Sequence, residues 1–256
     1  MHLTLLQIVL LVAEGLIVGF SKTGVPGTGI LVVPLMAEVF GGRLSVGATL
    51  PVLITADCFA VAFYRTHADW EKLKQLAPYV VFGIVLGAVF LKVMPPAKKG
   101  IDPLNVVIGG MVLAMLAVQL LRRRLGDRLL PTSKTGTAGT GVLAGFSTMA
   151  SNAAGPIMSI YMTAAKLPKA NFMGTTALYF FIFNMFKVPF VLALTASDSA
   201  HPMVTQQTLI VDAALIPIVM IGAFGGKRLL PVIPEKDFSD VVLLLAAVGA
   251  LKMMIP

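Results

Sequence analysis

The chain has 256 residues, 57% of them hydrophobic and only 12% charged, with a mean hydropathy of +0.90. A soluble domain carries about 25% charged residues, so a soluble globular enzyme, a disordered tail and a coiled coil are all poor descriptions. The net charge of +8 reads on this apolar background as a membrane orientation signal and not as a nucleic-acid footprint.

Apolar runs fall at 3–21, 28–40, 44–64, 74–91, 104–121, 136–147, 155–166, 171–195, 207–226 and 238–255. Ten membrane segments would use roughly 200 residues, which leaves no room for a separate soluble domain. The first run contains Glu14 and lacks a basic flank and a small-residue cleavage site, so a removed signal peptide is not expected. The runs at 28–40, 136–147 and 155–166 are too short to cross, reaching only about 18–20 Å at helical rise. Each borders a break, Thr23-Gly24-Val25-Pro26-Gly27 or Asn152-Ala153-Ala154-Gly155-Pro156, where Gly and Pro end one helix and start another. Helical hairpins that enter and return to one side fit these runs. The only cysteine, Cys58, excludes an intrachain disulfide. His2, His67 and His201 are scattered, and no metal or nucleotide motif is present, so no cofactor or metal is expected.

The chain repeats itself. Gly15-x-x-x-Gly19-Phe20-Ser21 recurs as Gly141-x-x-x-Gly145-Phe146-Ser147. Gly47-x-Thr49 with Asp57 recurs as Gly174-x-Thr176 with Asn184. Pro78, Gly83, Gly87 and Pro95 recur as Pro217, Gly222, Gly226 and Pro234. The expectation is an all-α polytopic membrane protein of two five-segment repeats, 1–121 and 136–256, joined by a linker at 122–135. Five is odd, so the second repeat is inverted. The linker carries Arg122, Arg123, Arg124, Arg128 and Lys134, which places it in the cytoplasm. Threading outward puts Arg65, Lys72, Lys74, Lys166, Lys169, Lys227, Arg228 and Lys236 on the same side. Arg43, Lys92, Lys98, Lys99 and Lys252 fall outside, as do both termini, and the loop 196–206 has no Lys or Arg.

Inverted repeats with interrupted helices are the signature of a secondary transporter. The two hairpin tips should meet near the midplane. Tip one supplies Ser21, Lys22, Thr23, Gly24, Gly27 and Thr28; tip two supplies Ser147, Thr148, Ser151, Asn152 and Gly155. Hydroxyls, free backbone N–H groups and half-helix N-termini favour an anion, and Lys22 adds a full charge. The competing readings are close packing for the glycines, snorkelling for Lys22 and back-bonding for the serines. Asp57 and Asn184 occupy matched positions. Asp57 either exchanges a proton during coupling or forms a static pair with Lys22 or Lys187. Lys187 lies on the same helix face as Asn184, and these three are the coupling or gating candidates. Thr49 and Thr176 either line the cavity or pack. Glu14 and Asp212 have no partner evident from spacing.

The stretch Gly19-Phe20-Ser21-Lys22-Thr23-Gly24-Val25-Pro26-Gly27-Thr28-Gly29, followed by Val32-Val33-Pro34-Leu35-Met36-Ala37, resembles the first-repeat motif of the sulfite exporter TauE/SafE family. Gly145-Phe146-Ser147-Thr148-Met149-Ala150-Ser151-Asn152-Ala153-Ala154-Gly155-Pro156 and Asn171-Phe172-Met173-Gly174-Thr175-Thr176-Ala177 are similar to its second repeat. The resemblance covers almost the whole chain. It implies a bacterial inner-membrane transporter, generally an exporter, of small sulfur-containing anions such as sulfite or sulfoacetate. The expected partners are a small anionic substrate, a coupling proton or ion, the lipid bilayer and a possible second copy of the chain, with no nucleic acid. The alternatives are a permease for another anion or a cation, and a membrane-embedded enzyme. The enzyme reading lacks an in-membrane histidine or a nucleophile–base pair.

Overall fold

The computed structural model describes residues 3–25, 27–95, 102–125, 133–229 and 235–254. Among them are ten α-helices and no strand: α1 (Leu5–Thr23), α2 (Val32–Phe40), α3 (Gly42–Tyr64), α4 (Trp70–Val93), α5 (Pro103–Leu125), α6 (Lys134–Ser151), α7 (Gly155–Ala164), α8 (Lys169–Ser197), α9 (Gln206–Leu229) and α10 (Glu235–Met254). Of the residues discussed from sequence, His2, Pro26, Lys98, Lys99, Arg128 and Pro234 lie outside the described residues. So do the side chains of Arg122, Arg123, Arg124 and Lys236.

Helix starts follow local chemistry. Thr4 and Gln7 close a reciprocal capping box at α1, with bonds of 3.0 and 3.3 Å. Asp69 accepts from the amides of Glu71 and Lys72 to start α4, and Ser133 accepts from Gly136 to start α6. These caps satisfy amides that have no partner within the helix.

Six helices are apolar and long enough to cross a bilayer: α1, α3, α4, α5 through Leu121, α8 and α9, with the turn 65–67 continuing α3. Large apolar side chains on their outer faces, including Leu5, Phe82, Val89, Ile210, Ile221 and Phe224, are exposed, as a lipid-facing surface requires. One expectation needs correction. The run 136–147 is extended to an α6 of 18 residues, about 27 Å at 1.5 Å rise, although α6 is not among the helices apolar enough to cross. Its last turns are polar and small, which hides them from a hydropathy scan. Their polar groups find partners within the protein, as the Ser151 hydroxyl does on the Ser147 carbonyl at 3.0 Å, so burying them leaves that hydroxyl satisfied. Each hairpin therefore joins one long helix to one short helix. The short arms, α2 and α7, have nine and ten residues.

The main helix contacts come in exchange-related pairs. α1 packs on α9 and α6 packs on α4; α3 packs on α8, and α5 on α10. Glycines allow the first two. A Cβ on Gly19 would strike the Val219 carbonyl, and one on Gly145 would strike that of Val80. Gly83 faces Val142 and Phe146, and Gly222 faces Leu16. The small-residue motifs are thus contacts within one chain, backbone against backbone.

The loops sort into two ends. At one end Gly174 of α8 abuts Tyr64 and His67, the Asp69 amide donates to Thr175 at 2.9 Å, and Lys227 sits 4.1 Å over the Phe63 ring. Arg65, Lys72, Lys74, Lys166, Lys169 and Arg228 are on helix ends or turns at this basic end. At the opposite end Arg43 donates to the Leu91 carbonyl and lies 3.9 Å from Asp198, and Gly42 donates to Asp102. Gln7 of α1 reaches the Val39 carbonyl at the end of α2, so the first hairpin returns to the end from which it starts.

Candidate functional site

The two breaks meet. α1 stops at Gly24, and the chain turns at Gly27, whose φ of +90° is a left-handed conformation suited to glycine. α6 stops at Asn152, also left-handed at φ 58°. α7 then begins at Gly155 with Pro156 in its first turn. A Cβ on Gly155 would sit 3.4 Å from the Gly27 Cα, and one on Gly27 would sit 3.5 Å from Ser159 Oγ. The two tips touch directly.

Between them lies a cavity of about 50 Å³, several times the roughly 10–15 Å³ that one water needs, so it suits a small ion. Ser21, Lys22, Gly27 and Gly29 line it from tip one, and Thr148, Asn152, Gly155 and Ser159 from tip two. α8 contributes Thr176, Phe180 and Asn184. The Thr176 hydroxyl is buried and has no partner among the described residues.

Charge is concentrated beside this cavity. Lys22 Nζ lies 2.8 Å from Asp57 Oδ1, with Lys22 10% and Asp57 0% exposed. The same ammonium sits 3.6 Å from the centre of the Phe180 ring, a favourable cation–π placement. Asn184 donates to the other Asp57 oxygen at 2.6 Å. Lys187, 2% exposed, donates to the Thr148 carbonyl at 2.9 Å, the Thr148 hydroxyl at 3.2 Å and Asn152 Oδ1 at 2.7 Å. Asn152 in turn donates to the Val46 carbonyl of α3 at 2.9 Å. Two lysines and one carboxylate leave this buried centre with a formal charge of +1.

Of the residues singled out from sequence, Ser21, Lys22, Gly27, Thr148, Asn152, Gly155 and Asn184 border the cavity. Asp57 and Lys187 stand behind it, each bonded to a residue on its wall. The others lie elsewhere. The Thr23 hydroxyl bonds the Gly19 and Ala223 carbonyls, and Gly24 is pressed against Gly226. The Thr28 hydroxyl bonds the Val25 carbonyl. Ser147 is buried and accepts the Ala153 amide on its carbonyl. Ser151 borders a second, smaller cavity. Ser159 and Phe180 did not emerge from the sequence. Helical spacing does carry a signal for both, since they lie four residues from Gly155 and Asn184 respectively. Among the described residues no group of three or more metal-binding side chains occurs.

Long apolar helices around a buried, charged cavity between two broken-helix tips define a multi-pass membrane protein of the transporter class. The family model described as Sulfite exporter TauE/SafE matches residues 11–253, and the chain belongs to that family. No match was found among curated proteins or among solved structures.

Proposed function

We propose that the protein exports a small sulfur-containing oxyanion or organosulfonate, such as sulfite or sulfoacetate, across a bacterial inner membrane by alternating access. The observation that carries this reading is the charge set around the cavity: Lys22 on its wall and Lys187 behind it, against the single carboxylate of Asp57. An unpaired charge in a membrane interior is costly, and an entering anion removes that cost. A cation permease would meet the same lysines as repulsion.

The substrate site comprises Ser21, Lys22, Gly27, Thr148, Asn152 and Gly155 around the cavity. The N-terminus of α7 supplies backbone donors and the positive end of its dipole. Lys22 is shared between Asp57 and the anion. Lys187 holds tip two in place, and Asp57, Asn184 and Lys187 set the gating. The chain is read as two inverted repeats, 1–121 and 136–256, with the linker 122–135 and the basic end in the cytoplasm and both termini outside. The exchange-related helix pairing and the charge asymmetry support that reading.

The test is uptake into proteoliposomes of sulfite, sulfate, sulfoacetate, taurine and thiosulfate, with and without a pH gradient. Sulfite or an organosulfonate should be carried, and Lys22→Ala should abolish carriage while the protein still folds. Wild-type transport by Lys22→Ala would remove Lys22 from the binding site, and flux of divalent cations alone would overturn the anion reading.

A further inference from the structure

Outside the cavity, one pair of ionisable groups among the described residues is buried with no cation paired to it. Glu14 on α1 is 1% exposed and Asp212 on α9 is 6% exposed. They stand on helices held together by the Gly15 and Gly19 contacts with Ile218 and Val219. Glu14 Oε1 and Asp212 Oδ2 have no hydrogen-bond partner among the described residues. Spacing could not pair them, because they lie in opposite halves of the chain.

The groups facing Glu14 come from each helix packed on α1. From α9 the facing charge is Asp212, which repels it; from α3 it is the Thr49 hydroxyl. The acid of α2, Glu38, is 2.8 Å from Lys252 and spoken for. The intramembrane lysines are likewise committed, Lys22 to Asp57 and Lys187 to tip two. Two carboxylates facing each other in an apolar interior cannot both remain charged without a compensating cation.

The donor set indicates which cation. The Thr49 hydroxyl gives its hydrogen to the Ser45 carbonyl at 2.7 Å and so neutralises neither carboxylate; a proton held on the pair removes their mutual repulsion without needing further ligands. A metal ion is poorly served here, since hard cations take six or more oxygen ligands. This site offers two carboxylates and one hydroxyl.

Thr49 also borders the second cavity, of about 10 Å³, with Ser45, Val46, Ser151 and Asn152. That is space for about one water. Gly29, Leu53 and Asn152 border both cavities, so Thr49 stands on the far side of the wall that closes the anion cavity.

We propose that Glu14 and Asp212 form a proton-binding site separate from the anion cavity. One proton is held on the pair and exchanged past Thr49 with the small cavity, and its loading is coupled to passage of the anion. Asp57, already bonded to Lys22 and Asn184, is not the proton carrier. The coupling half of this proposal rests on the anion-transport reading; the proton site itself does not.

The experiment therefore has two arms on the full-length protein in liposomes. The first needs no anion. Infrared difference spectra across a pH titration should show the carbonyl stretch of a protonated carboxylic acid, and Glu14→Gln and Asp212→Asn should each remove it. Persistence of that band in both variants overturns the site. The second arm compares sulfite exchange at equal pH with net sulfite transport driven by a pH gradient, read by a trapped pH dye. Both variants should exchange sulfite as the wild type does but lose the response to the gradient. An unchanged gradient response, or driving by sodium in place of protons, overturns the coupling. If the wild type carries no sulfite and the band still vanishes in the variants, the proton site stands and the anion reading fails. If Glu14→Gln does not fold, Asp212→Asn alone carries both measurements, and Glu14→Asp should shift the carbonyl band instead of removing it.

Discussion

Removing Lys22 and Asp57 singly and together separates their part in folding from their part in transport. Their ion pair is 2.8 Å long, with Asp57 fully buried. Taking away one partner of a buried pair costs about 3–5 kcal/mol, because the survivor keeps its desolvation penalty without its counter-charge. For a chain of this size, about 2–4 °C of melting temperature accompanies each kcal/mol. Lys22→Met and Asp57→Asn should therefore each lower the midpoint by roughly 6–20 °C. The double variant strands no charge, and Asn184 can still bond the new amide. It should recover most of the loss, which requires a coupling energy above the roughly 3 kcal/mol at the top of the usual range for contacting residues. Size-exclusion thermostability in detergent gives the midpoints, and sulfite flux in proteoliposomes gives transport. Lys22→Met and the double variant should both be inactive even where stability returns. Losses that simply add would show that the pair is not energetically coupled. Transport by the stable double variant would reduce Lys22 to a structural cation.

Two further outcomes follow from the geometry. Gly145→Leu would drive a side chain into the Val80 carbonyl, and overpacking of this kind costs about 1–3 kcal/mol or more. It should lose its monodisperse elution peak, whereas Gly139→Leu, with no atom within 4 Å of its Cβ position, should elute like the wild type. Asn152→Ala removes one acceptor of Lys187 and the bond to Val46, orphaning buried groups at about 1–3 kcal/mol each. Hydrogen exchange should rise around residues 147–158 and stay unchanged in α9; unchanged exchange at the tip would show that these bonds do not hold it.

The elements readable from sequence are those set by local composition. The helix breaks at Gly24–Gly27 and Asn152–Gly155 follow from backbone chemistry that a sequence displays. Asp57 and Asn184 stand out in the sequence by a shared offset from similar motifs, and the fold bonds the two side chains. What spacing left open is which lysine serves which partner. Lys22 and Lys187 were both available to Asp57, and the fold gives Lys22 to Asp57 and Lys187 to Thr148 and Asn152. Three-dimensional proximity across 35 or more residues decides that choice. The same limit hid Glu14 beside Asp212. The length of α6 is hidden for another reason: hydropathy counts Ser147, Thr148 and Ser151 as polar, although Ser151 bonds back to the Ser147 carbonyl and the Thr148 hydroxyl accepts from Lys187.

Where α1 meets α9, and α6 meets α4, glycine leaves no layer of side chains between the two backbones. Such a seam has nothing to slide or repack, so each pair behaves as one rigid beam, and each beam joins a helix from the first half of the chain to one from the second. The stiff units of the fold therefore cross the boundary between the two halves of the sequence instead of coinciding with them.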